Sequence, residues 1–182
     1  MSKEYKILIA GFGGQGILFS GKFLVYAGMI KGREVTWLPS YGPEMRGGTA
    51  SCAVIISDAP VGSPMVTDPS VLIVMNTPSY DRYEGAVSAG GCVIVDSSIV
   101  ERPPTRTDVD TFRIPATAMC AEHGLVGLAN MVMVGKLIRE TGVCNMDDVA
   151  DAMRKSVPER KKDLFESNIK AIELGYNFDQ DG

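Results

Sequence analysis

Short apolar runs alternate along this chain with longer segments whose apolar residues recur at helical spacing. Residues 6–10 (KILIA) are apolar, rich in isoleucine and stop on a glycine, which predicts a buried parallel strand. Apolar positions at Ile17, Leu18, Leu24, Val25 and Met29 predict a helix over 17–30, with Gly32 as its stop. Residues 34–38 (EVTWL) read as a second strand, completing a strand–loop–helix–strand unit. Further strands are predicted at 49–56, 71–75, 92–95 and 111–114. A helix with Ser79 as N-cap is expected over 79–89. Three more are expected at 125–141, 146–155 and 159–174, the second capped by Asn145 and the third opened by Pro158. The alternation predicts an α/β fold: a Rossmann-like, doubly wound, mainly parallel sheet with helices on both faces. Residues 49–56 could instead pair antiparallel, because no helical pattern precedes them. No repeat, low-complexity stretch or linker interrupts the chain, so residues 1–182 are expected to form a single domain.

Composition narrows the partners. The 182 residues are 45% hydrophobic and 22% charged, enough for a sizeable core. A net charge of -4 argues against nucleic acid or an anionic membrane as the main partner. The basic cluster Arg160-Lys161-Lys162 reads as a solvated helix face. The N-terminus lacks a signal-like apolar region, and no apolar run approaches the roughly 20 residues of a membrane span, so a cytoplasmic location is expected. Cys52, Cys92, Cys120 and Cys144 are widely separated and never form the close pairs that zinc and iron–sulfur sites use. No metal or cluster is expected on this chain.

Two loops carry the candidate chemistry. Gly11, Gly13 and Gly16 form G-x-G-x-x-G within Gly11-Phe12-Gly13-Gly14-Gln15-Gly16, after a strand and before a helix. Such glycines permit a tight turn, and the helix N-terminus beyond them offers N–H groups and partial positive charge to an anion. A dinucleotide site also needs an acid at the end of the second strand to hold the ribose. Here that strand ends Trp37-Leu38-Pro39-Ser40, which argues against NAD. Close helix–strand packing is the plainer use of these glycines. The second loop, Ser40-Tyr41-Gly42-Pro43-Glu44-Met45-Arg46-Gly47-Gly48-Thr49, should lie near the first on the carboxyl edge. Arg46 could fork onto a phosphate or carboxylate with Glu44 orienting it, or the two could only stiffen the loop.

GFGGQGI at 11–17 followed by SYGPEMRGGTA at 40–50 resembles the gamma subunit of 2-oxoacid:ferredoxin (acceptor) oxidoreductases, which act on pyruvate, 2-oxoglutarate or ketoisovalerate. The resemblance runs over nearly the whole chain, and Gly16 and Ser40, which anchor the two motifs, stand 24 positions apart. It implies a part in the coenzyme A-dependent oxidative decarboxylation of a 2-oxoacid to acyl-CoA and carbon dioxide, with no activity for the chain alone. Thiamine diphosphate with Mg2+ is then expected on alpha and beta subunits, and [4Fe-4S] clusters on a delta subunit or equivalent, which would pass electrons to ferredoxin. The residues the resemblance marks as shaping a cofactor-facing junction are Gly11, Gly13, Gly14, Gln15 and Gly16, with Tyr41, Glu44, Arg46, Gly47 and Gly48. Direct contact with coenzyme A is a further expectation. SYGPEMRGG resembles most the separate-subunit enzymes acting on 2-oxoglutarate or branched-chain acids. A homodimer is compatible with the common two-fold default. The competing reading is a stand-alone nucleotide-binding protein using the first loop.

Other polar residues invite blander readings. His123, the single histidine, is expected to be a hydrogen-bonded helix-end residue. Ser20 lacks the sharp G-x-S-x-G turn of hydrolases, and Asp96 suits a loop cap. Met131 and Met133 are expected in the core or at a subunit interface. No catalytic acid–base pair is evident.

Overall fold

The computed structural model describes residues 3–41, 48–158 and 160–179. Its six strands are β1 (Glu4–Phe12), β2 (Glu34–Tyr41), β3 (Thr49–Ser57), β4 (Val71–Val74), β5 (Cys92–Asp96) and β6 (Asp110–Ile114). The helices are α1 (Ile17–Ile30), α2 (Thr77–Tyr83), α3 (Ala116–Glu122), α4 (Ala129–Thr141), α5 (Met146–Ser156) and α6 (Lys162–Asn177), with a 3-10 turn at Glu84–Ala86.

The strands lie side by side in the order β2-β3-β1-β4-β5-β6. β1, β4, β5 and β6 are mutually parallel, while β3 runs antiparallel to both β1 and β2. The sheet is therefore mainly parallel, with one reversed strand inserted between the two arms of the first strand–helix–strand unit. Reversal of β3 follows from chain length: the segment joining β2 to β3 is far too short for the helical crossover that a parallel neighbour needs.

Period-two alternation divides the sheet into two cores. Ile7, Ile9, Cys52, Val54 and Ile73 face a large cluster completed by α1, α4, α5 and α6, whereas Leu8, Leu72, Val93 and Val95 face a smaller one under Tyr80 of α2. Helices thus cover both faces.

Most expected elements stand where the pattern puts them, α1 at the same bounds. Three differ. Asn76, not Ser79, caps α2: its Oδ1 accepts the Ser79 N–H at 2.8 Å, because the amide side chain reaches back over the first turn. The helix expected from 125 starts only at Ala129, after Gly124 and Gly127 adopt left-handed φ of 67° and 86°. α3 was not expected from the apolar spacing of Ala116–Glu122, a short and largely small-residue segment. Asn145 occupies the N-cap position of α5, though its side chain makes no capping bond. Among the described residues no helix is long and apolar enough to cross a membrane.

Candidate functional site

The carboxyl ends of β1 and β2 place the two candidate loops side by side. Register pairs Phe12 of β1 with Thr49 and Tyr41 of β2 with Ala50, so the β2–β3 connection leaves the sheet next to the glycine loop. A backbone bond joins them: the Gly13 N–H donates to the Gly48 carbonyl at 3.1 Å. Glu44, Arg46 and Gly47 lie outside the described residues, as does the expected Glu44–Arg46 pairing.

Gln15 does the bridging at the centre. Its Oε1 accepts the Phe12 N–H at 2.7 Å and its Nε2 donates to the Met75 carbonyl at 3.0 Å. The side chain spans from the end of β1 to the end of β4. That is the point where the chain turns to opposite sides of the sheet, and where doubly wound folds open a ligand crevice. Here the Gln15 amide bridges the two strand ends. Gly11 makes room for it, since a Cβ there would stand 2.5 Å from Gln15 Oε1.

Gly16 closes the loop with φ 76° and acts as N-cap of α1, with no side-chain cap and no acid in the first turn. Its carbonyl accepts from Ser20 N at 3.0 Å, Ser20 Oγ at 3.2 Å and Asn130 Nδ2 at 3.1 Å. Asn130 also donates to Ser20 Oγ at 3.0 Å and is buried. Its amide lies so close that a Cβ on Gly16 would sit 2.5 Å from Asn130 Nδ2. A β-carbon at position 16 is therefore excluded both by space and by backbone conformation.

Between these loops a cleft of about 290 Å³ is lined by Phe12, Gly13, Gly14, Gly16, the first turn of α1, Tyr41 and Ala50. Gly14 meets nothing within 4 Å on its side-chain side, so its backbone stands open to the cleft. Tyr41 is 70% exposed at the rim. Exposed glycine backbone and an uncapped helix start form a surface that can accept anionic oxygens. Among the described residues no group of three His, Cys, Asp or Glu side chains could hold a metal ion.

Asn130 and Met75 escaped the sequence reading. Asn130 was legible only as an amide in the first turn of an otherwise apolar helix, ANMVMVG. The remaining polar candidates prove structural. His123 Nδ1 donates to the Met119 carbonyl at 2.9 Å at the end of α3. Asp96 accepts Ser98 N at 3.0 Å and Thr117 Oγ1 at 2.6 Å. Met131 and Met133 are fully buried in the larger core.

Comparison with known proteins places this geometry. Residues 6–178 match the family described as pyruvate ferredoxin/flavodoxin oxidoreductase. The ketoisovalerate oxidoreductase subunit VorA of Methanothermobacter marburgensis is 38% identical over 95% of this chain, which spans only 36% of that protein. The 2-oxoglutarate synthase subunit KorC of Methanocaldococcus jannaschii is 37% identical over 97% of this chain and 93% of its own length. Among solved structures, the gamma subunit of the keto/oxoacid ferredoxin oxidoreductase of Geobacter sulfurreducens superposes with a TM-score of 0.82 at 30% identity, covering 96% of this chain and 95% of that one. From motifs, fold and these matches alike, the chain belongs to the pyruvate ferredoxin/flavodoxin oxidoreductase family.

Proposed function

We propose that this chain is the gamma subunit of a multisubunit 2-oxoacid:ferredoxin oxidoreductase, acting as one gamma-type unit over its whole length. The observation that carries the reading is the end-to-end match to a separately encoded 2-oxoglutarate synthase subunit. The names of the relatives favour 2-oxoglutarate or ketoisovalerate as substrate. The complex would oxidise the 2-oxoacid, release carbon dioxide, transfer the acyl group to coenzyme A and pass two electrons to ferredoxin. Thiamine diphosphate, Mg2+ and [4Fe-4S] clusters would reside on the alpha, beta and delta partners.

This chain's own part is to shape the coenzyme A side of the junction. Gln15 and Gly11 hold the first loop to β4, Gly16 and Asn130 hold it to α4, and Gly48 ties it to the second loop. Gly13, Gly14 and the start of α1 then present backbone to the cleft, and Arg46 supplies a guanidinium for a phosphate of coenzyme A. A stand-alone nucleotide-binding role is disfavoured because β2 ends Leu38-Pro39-Ser40-Tyr41, with no acid to hold a ribose.

Affinity purification of the chain from its native cell, followed by mass spectrometry, tests the subunit reading. Stoichiometric thiamine-binding and ferredoxin-like chains are expected; recovery of the chain alone would overturn it. In the recovered complex, Arg46→Ala should raise the KM for coenzyme A by roughly tenfold or more, the worth of a charged hydrogen bond, with little change for the 2-oxoacid. Unaltered acyl acceptance would remove Arg46 from the site.

A further inference from the structure

The helices of this fold differ in what they show to solvent. α5 turns Asp147, Asp151, Arg154 and Lys155 outward, as a solvated helix should. α1 does not. Its sheet-facing side is apolar, and its flank carries little charge: Leu18, Lys22, Val25 and Met29 fall within roughly a 60° arc at 3.6 residues per turn, with Leu18 and Val25 half-buried against the core and Lys22 and Met29 exposed. Met29 is 53% exposed. The flank continues onto the edge strand β2, where Trp37 lies against α1 at Gly21 and is 41% exposed, and Tyr41 stands at the rim of the cleft. Apolar residues on all sides of a helix at the periphery mark a surface that is covered by another molecule.

We propose that this α1–β2 face docks the polypeptide that corresponds to the remainder of the longer ketoisovalerate relative, the part of VorA that this chain does not span. The inference rests on the subunit reading above. In VorA the equivalent module and the remainder are one chain, whereas the KorC relative matches end to end and has no such extension to tether it. A module that shares one chain with that remainder in a relative meets it across a surface, and this face adjoins the cleft that the partner would complete. Pairing through the β2 edge is not the mode of contact. Pro39 has no N–H to give, which interrupts strand addition and disfavours a second copy extending the sheet. The contact is made by side chains, and the matching surface is apolar with an acidic group opposite Lys22.

The test uses the complex purified through this chain. Lys22→Glu and Met29→Glu each place a carboxylate in the contact at an exposed position, and Leu164→Glu places one on the exposed part of α6 as control. An unpaired charge buried in an apolar contact should weaken retention of the larger chain by about 100-fold or more. The control should retain it, and all three isolated chains should melt within the few degrees typical of a surface change. A photo-crosslinking residue at position 37 gives a readout independent of the carboxylates, and should capture the larger chain, identified by its sequence. Retention of the larger chain by both variants would overturn the docking face and leave the subunit reading intact. Crosslinking to a second copy would also overturn it, in favour of self-association. A wild-type chain that recovers no larger partner would overturn the subunit reading and this inference with it.

Discussion

Asn130 and Gly16 show how much a single amide can hold. The Gly16 carbonyl takes two donors from Ser20 and one from Asn130, which clamps the glycine loop to α4 across 114 positions of sequence. Asn130→Ala should cost about 1–3 kcal/mol, because it leaves the loop partners short of a buried donor. Thermal unfolding of the purified chain measures that loss, and an unchanged melting temperature would dismiss the clamp. Glu84 offers a second test. Burial alone would raise its pKa, but the Thr105 N–H and hydroxyl, then Arg102 and Tyr80, outweigh it and hold the carboxyl down at about 2. A depressed folded pKa contributes stability above the unfolded value near 4.5, and that contribution is lost as pH falls from there toward 2. Glu84→Gln should therefore cost on the order of 2 kcal/mol at neutral pH and flatten the acid limb of the stability curve. Denaturant titrations at a series of pH values would reveal an acid limb as steep as the wild type's if Glu84 were irrelevant.

Among the elements, the crossing of α4 and α6 is the tightest joint. A Cβ on Gly175 would lie 1.8 Å from the Val132 carbonyl oxygen, and one on Gly135 would lie 2.0 Å from that of Ile172. The helices meet backbone to backbone, so Gly175→Ala must push them apart. We expect about 3 kcal/mol or more of destabilisation in equilibrium denaturation. A loss no larger than that of an exposed helical Gly→Ala exchange would mean that α6 shifts freely. Because α4 also carries Asn130, the same exchange should loosen the glycine loop. Increased amide hydrogen exchange at residues 12–16 would register that coupling.

At the scale of the molecule, the four cysteines report on the integrity of both halves of the larger core. Burial pushes the thiols of Cys52, Cys92 and Cys144 up to about 12 and that of Cys120 to about 11. At pH 8 the buried Cys52, Cys120 and Cys144 of the folded chain should react with a thiol reagent only as fast as it opens, and all four should react at once in denaturant. Rapid labelling of Cys52 in the native protein would place α1 and β3 in a looser arrangement than the one described. The flank of α1 belongs to this scale as well, since the docking proposed for it involves a second polypeptide.

Local pattern determined a large share of this protein. Runs such as KILIA and VLIVM can hardly be anything but buried strands, and α1 was readable to the residue because Gly16 and Gly32 bracket a periodic stretch. The two glycine motifs were legible too, because turns write their geometry into residue type. Distant pairings left no local trace. Gln15 was readable as a loop residue, but its bond to Met75 exists only because β1 and β4 are neighbours in the sheet. Asn130 joined the site only when α4 came to rest against the start of α1, and Gly135 and Gly175 met only when two helices crossed. The sequence by itself decided which segments are strands, helices and turns, since that choice is made within a few residues. Tertiary structure alone decided which polar groups meet, because that depends on the order of strands and the crossing of helices far apart in the chain.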